Sequence, residues 1–204
     1  MAVKQTAYQT KDYSELIGME GFSDELLNNH FTLYKGYVDN TNKLQQMIAN
    51  ATKDGKDPGF AELNRRLGFE WNGMRMHEYY FDALGGEGSI KKTGGLYKKL
   101  SDEFGSFEEW QKSFKAMGSI RGVGWAALYH DPNTNRCFNM WIEQHHISHP
   151  TSCQLLLTMD MWEHAFMLDY GLDKAGYIDA FMKNINWDVI EERLEAGAHI
   201  WAGK

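Results

Sequence analysis

Asp160 and His164 sit four residues apart in "QLLLTMDMWEHAFM", and both are good ligands for a transition metal. An apolar run from Leu155 to Met159 leads into the acid, and Trp162 and Glu163 lie between the two groups. At this spacing the side chains converge whether they share a helix face or flank a strand-to-helix corner. The same residues also suit a helix start, with Asp160 as N-cap and a solvated Glu163 and His164. Two further histidines bear on the choice. His30 stands among Leu26, Leu27, Phe31 and Leu33, and His77 lies in "MRMHEYYF", each bordered by large apolar groups. Singly, each suits a satisfied core histidine. On two facing helices, they suit the inward-pointing ligands from which helical bundles build metal sites. With Asp160 and His164 the set becomes three imidazoles and one carboxylate, which fits redox iron or manganese, or zinc, better than calcium.

A second cluster, "EQHHISHP", holds His145, His146 and His149. An HHxxH run could form a zinc hydrolase site of its own. It lacks the general-base glutamate at helical spacing that H-E-x-x-H supplies. His146 and His149 therefore read as a solvated polar loop ahead of Pro150.

The elements that must position these residues follow from periodicity. Residues 22–50 place Leu26, Leu27, Phe31, Leu33, Tyr34, Tyr37 and Val38 in a helical pattern behind a capping Ser23. Residues 60–84 form a second long helical pattern, joined to the first by the turn-forming "TKDGKDPG". The pair predicts an antiparallel helical hairpin. The glycine-rich "GGEGSIKKTGG" at 85–95 marks a domain boundary, giving an N-terminal domain over 1–90 and a C-terminal α/β domain over 91–204. In the second half, helical segments near 96–104 and 106–117 precede "GWAALYHDPNTNRCFNMWIE", two apolar runs around an Asp-Pro-Asn turn. "CQLLLTMD" supplies a third strand, and the tail from Asp160 returns to helix. The fold class is α+β, with a three-stranded antiparallel sheet.

At 204 residues, 43% hydrophobic and 24% charged, the chain is long enough for a substantial core. A net charge of −7 argues against nucleic-acid binding and repels anionic substrates unless basic groups sit at the site mouth. Two cysteines, Cys137 and Cys153, without a CxxC pattern fit a reducing compartment, or at most one bridge. With neither an apolar leader nor a membrane-length run, the expected location is cytoplasmic.

Six stretches, in order along nearly the whole chain, resemble the iron/manganese superoxide dismutase family. "LTMDMWEHAFM" is similar to its D-x-W-E-H-A-Y signature and "INW" at 185–187 to its V-N-W element. "FGSFEEWQKSF" and "GVGWAALYHD" resemble its G-S-F and G-S-G-W segments. "HFTLYKGYV" and "NGMRMHEYYF" resemble its two N-terminal ligand helices. The resemblance implies one iron or manganese ion held by His30, His77, Asp160 and His164. It implies a two-step redox cycle that turns superoxide into oxygen and hydrogen peroxide. It places Tyr37 as the gateway tyrosine, Trp125 and Trp162 as aromatic walls, and Lys174 where the family has a funnel arginine. Glu163 falls where the family reaches across a subunit interface, implying a homodimer or homotetramer. Family members place a glutamine four residues before the second ligand, where this chain has Gly73, or a glutamine or histidine on the hairpin side. His145, 15 residues before Asp160, matches the histidine-using members. An ungapped match to the glutamine-using members gives His146 instead.

Three positions depart from the family pattern. Tyr37 follows His30 by seven residues rather than eight, Tyr34 replaces a gateway histidine, and Met167 replaces the second tyrosine after E-H-A. These changes leave the candidate ligands intact and alter what surrounds them. A catalytically weak metal-binding protein on the same scaffold is the alternative they raise.

Overall fold

The computed structural model describes residues 6–53 and 58–201, so the core of the turn-forming link, residues 54–57, lies outside the described residues. Helix α1 spans Asp24–Asn50 and opens where the Ser23 hydroxyl accepts the Leu26 N–H at 3.0 Å. Its buried residues Leu26, His30, Tyr34 and Val38 recur every four positions along one face. Helix α2, Pro58–Asp82, buries Gly73, Met74, His77, Tyr80 and Phe81. The two run antiparallel. His30 meets Phe81 at the start of α1, Tyr37 meets Phe69 further on, and Asn40 bonds Glu70 beyond that.

Helices α3 (Gly95–Phe104) and α4 (Phe107–Gly118) lead into strands β1 (Gly124–Asp131), β2 (Arg136–Glu143) and β3 (Gln154–Asp160). The sheet order is β2-β1-β3, all antiparallel. Central β1 is buried along nearly its whole length, which is why "GWAALYH" reads as an unbroken apolar run rather than an alternating one. Trp125 pairs with Asp160 across β1 and β3, so their side chains leave the same face of the sheet. A short 3-10 turn over Glu163–Ala165 precedes α5 (Met167–Tyr170), α6 (Lys174–Lys183) and α7 (Trp187–Trp201). The tail is therefore helical in three pieces, beginning after Asp160.

The glycine-rich segment is a packed strap. Gly86 and Gly88 donate to the carbonyls of Asn184 and Ile185 at 3.0 and 3.1 Å, and Asn186 donates to Ala83 at 2.8 Å. A Cβ at Gly86 would overlap the backbone of Asn186, so the close approach requires glycine there. Among the described residues, no helix is long and apolar enough to cross a membrane.

Candidate metal centre

Two helix faces aim at one corner of the sheet. Along α1, His30, Tyr34 and Tyr37 stand at i, i+4 and i+7; along α2, Phe69, Gly73 and His77 stand at i, i+4 and i+8. Each series lies on one side of its helix. The seven-residue step from His30 to Tyr37 is nearly two full helical turns, so it keeps Tyr37 on the face of His30. Asp160 ends β3 and does not cap a helix. Its Oδ1 accepts the Trp162 N–H at 2.9 Å, which closes the turn and swings His164 back over the carboxylate.

The four side chains converge. Asp160 Oδ2 lies 3.2 Å from His30 Nε2, 3.1 Å from His164 Nε2 and 3.6 Å from His77 Nε2. One candidate ligand atom from each residue falls within 4.8 Å of all the others. Bonds of about 2.0–2.2 Å to a single ion would hold neighbouring ligand atoms roughly 3–3.5 Å apart, the scale of the three distances to Asp160. His30, His77 and Asp160 are buried, while the His164 side chain is 19% exposed.

The protonation pattern favours a cation. His77 Nδ1 lies 2.6 Å from the Gly73 carbonyl oxygen, which can only accept, so Nδ1 carries the proton. Its Nε2 keeps a lone pair, is buried, and has no hydrogen-bond partner among the described residues. Such an orphan is costly unless something fills the role of partner. Burial, helped by neighbouring His30, holds the His77 imidazole well below its ordinary pKa, and burial lowers His30 as well. Both are thus biased toward the neutral form, which is the form that binds metals. Burial alone would raise the Asp160 carboxyl, but the imidazoles of His164 and His30 beside it hold it well below the usual range. Three imidazoles and one carboxylate fit an iron or manganese ion.

Beside this cluster sits His145, wholly buried. The Trp125 indole N–H donates to its Nδ1 at 3.1 Å, so in the neutral ring Nε2 carries the proton and donates to the Tyr37 hydroxyl oxygen at 2.8 Å. Burial lowers the His145 pKa to about 4 and raises that of Tyr37, so both are neutral at ordinary pH. Trp162 stacks on the His145 ring at 4.5 Å and 12°, with Phe69 edge-on at 4.7 Å.

Gly73 makes room for this pair. A Cβ at position 73 would stand 2.6 Å from Tyr37 Cδ1. We expect Gly73→Ala to displace the Tyr37 ring from His145 and to cost about 1–3 kcal/mol, read as a lowered denaturation midpoint.

The other sequence candidates are more scattered. Tyr34 is fully buried and donates to Glu78 Oε1 at 3.0 Å, its ring stacked 6.4 Å from that of His77. Met167 and Glu163 are exposed. The Lys174 ammonium donates to the Ile120 carbonyl at 3.3 Å and lies 5.6 Å from the Phe166 ring centre. The loop histidines do not form a zinc site: both nitrogens of His149 are taken, by Tyr129 Oη at 2.8 Å and by the His145 carbonyl at 2.9 Å. His149 is therefore a bonded, half-buried group and not the solvated one its loop suggests. Sequence reasoning also missed Phe69 and Arg66. The Arg66 guanidinium lies 4.3 Å from the Phe69 ring centre and bonds Glu70. The 69–73–77 helical spacing was the available signal for Phe69.

The fold and this cluster define an α+β protein in which three histidines and one carboxylate stand close enough together to hold one metal ion. The family model for iron/manganese superoxide dismutases, C-terminal domain, matches residues 92–193. The chain is 33% identical to the "Superoxide dismutase [Fe]" of Aquifex aeolicus, over 92% of this chain and 91% of that one. It is 35% identical to the protein of the same name from Cupriavidus metallidurans, over 87% and 91%. Against the "Superoxide dismutase [Mn] 1" of Halobacterium salinarum it is 28% identical, over 86% and 88%. The chain belongs to the iron/manganese superoxide dismutase family.

Proposed function

We propose that His30, His77, Asp160 and His164 hold one iron or manganese ion, and that Tyr37 and His145 are the proton-handling pair beside it. The enzyme is an oxidoreductase, and its reaction is the dismutation of superoxide. When bound, the ion supplies two adjacent oxidation states, so that one superoxide is oxidised to oxygen and a second is reduced, with two protons, to hydrogen peroxide. The chain's own residues supply the rest. Asp160 contributes the compensating negative charge, and its main-chain carbonyl is anchored by the Tyr177 hydroxyl at 2.7 Å. The His77 bond to Gly73 fixes which nitrogen faces the ion. Trp125 does the same for His145, so that His145 presents an N–H to Tyr37, and the Tyr37 hydroxyl proton is left free to be passed on. Trp162 and Phe69 wall the pair and limit water. Lys174, whose ammonium stands 5.6 Å from the ring centre of Phe166, two residues after His164, is the cation this reading assigns to offset the chain's net charge of −7 for the superoxide anion.

The buried Nε2 of His77, without a hydrogen-bond partner among the described residues, carries this reading. Superoxide decay by the purified protein, measured with metal content on the same sample, tests it. Decay should scale with bound iron or manganese and vanish in His77→Ala; full occupancy with negligible decay would refute it. An inert metal-binding scaffold is not favoured, because the unusual Tyr34 and Met167 leave the cluster and the Tyr37–His145 pair complete.

The same reading makes the protein a cytoplasmic homodimer or homotetramer with Glu163 at the interface. Exposed Met167 and Leu168, four and five residues after exposed Glu163, support the interface, and two free cysteines support a reducing compartment. A division into domains 1–90 and 91–204 is supported by the family match beginning at residue 92.

A further inference from the structure

We propose that His149 is a positioning residue for His145, setting where the His145 imidazole stands relative to Tyr37. The proposal rests on the reading of His145 and Tyr37 as the proton-handling pair. His145 lies on a tight loop between β2 and β3. The loop is closed by reciprocal bonds between Glu143 and Ile147 at 3.2 and 3.3 Å, and by the Gln144 N–H on Val123 at 3.2 Å. Gln144 and Ser148 both take left-handed backbone conformations, with φ of 52° and 76°. Neither is glycine, so surrounding contacts must hold the loop in this shape.

His149 provides such a contact. Its Nε2 lies 2.9 Å from the His145 carbonyl, which can only accept, so Nε2 carries a proton and donates. In the neutral ring, Nδ1 then accepts from the Tyr129 hydroxyl at 2.8 Å. Tyr129 and Trp125 lie four residues apart on β1, the most buried strand. One strand therefore grips His145 twice: Trp125 holds its ring directly, and Tyr129 holds its main chain through His149. A shift of the carbonyl would carry the ring with it and lengthen the 2.8 Å bond to Tyr37. His149 also lines a cleft of about 590 Å³ with Tyr129, Cys153 and Gln154, so replacing it does not enter the metal cluster.

The test compares His149→Leu, which cannot bond, with His149→Gln, whose amide can still donate to the His145 carbonyl. Nitrogen-15 NMR of the metal-free proteins reads the His145 tautomer and the exchange of its Nε2 proton. Superoxide decay per bound metal ion is measured in parallel. His149→Leu should speed Nε2-proton exchange at least about tenfold and lower the rate per metal by about 10- to 100-fold, at unchanged metal content. His149→Gln should restore both to within about threefold of the parent. Should His149→Leu fold poorly, Tyr129→Phe, which removes one hydroxyl, should give the same exchange change at smaller amplitude. An unchanged His145 resonance in the folded variants overturns the proposal, as does equal loss in the leucine and glutamine variants. A His145→Ala protein with full rate would instead sink the underlying reading of His145, whatever the resonances show.

Discussion

Replacing His77 with leucine should leave the metal-free protein at least as stable as its parent, while abolishing the gain in stability that metal brings. The expectation follows from opposing terms at one side chain. In the absence of an ion, the buried His77 Nε2 has no partner among the described residues, a penalty of about 1–3 kcal/mol. Leucine removes that penalty and fills much of the same space between Trp125, Tyr37 and His30. It forfeits the bond to the Gly73 carbonyl, worth about 1 kcal/mol net. The terms nearly cancel, or favour leucine slightly. With metal the balance reverses. A ligand present at 1,000 times its dissociation constant stabilises the native state by about 4 kcal/mol, and the variant forgoes this along with its activity. Thermal unfolding of both proteins, each with and without manganese, reads all four states. A metal-free variant destabilised by several kcal/mol would mean that the imidazole is chiefly structural. A variant still stabilised by manganese would remove His77 from the ligand set.

How much of this was legible in the sequence depends on how each residue is placed. His30 and His77 lie on periodic apolar faces, so helix geometry alone turns them inward. Asp160 ends an apolar strand whose burial could be read from its run of leucines. The hairpin of β1 and β2 and the cap at Ser23 are local features, and short-range chemistry writes them plainly. Partners chosen across the fold are different. Nothing near His149 in the sequence announces Tyr129, which reaches it only because β1 and the loop after β2 are brought together. The glycines at 85–95 look like a linker by composition, yet they serve close packing against the segment before α7. Tyr34 is legible as a departure from the family, but its bond to Glu78 is a product of α1 lying against α2.

Below neutrality, the metal-free protein should lose stability that His145→Gln retains, and the loss should fall between about pH 6.5 and pH 4. In the unfolded chain this imidazole titrates near its ordinary value of 6.5; in the fold it titrates at about 4. Burial is the main cause. His164, His146 and Arg66 push the same way, and the Asp160 carboxylate opposes them. Between the two values the unfolded state binds more protons, so stability rises with pH across that window. The contribution is whole above 6.5 and is lost as pH falls through 4, up to about 3 kcal/mol. Glutamine does not titrate, yet its amide can accept from Trp125 and donate to Tyr37, so it keeps the geometry and drops the pH dependence. His30 and His77 also resist protonation, and they make the metal-free parent and the variant steeper alike. The difference between the two curves therefore isolates His145. Denaturant midpoints collected from pH 7.5 to pH 4 give that difference directly. Parallel curves would mean that His145 can take up a proton in place, and that the Trp125 bond does not fix its tautomer. Curves that converge above pH 6.5 and part below it would establish a neutral, Nε2-protonated imidazole, the only form able to accept from Trp125 and donate to Tyr37 at once.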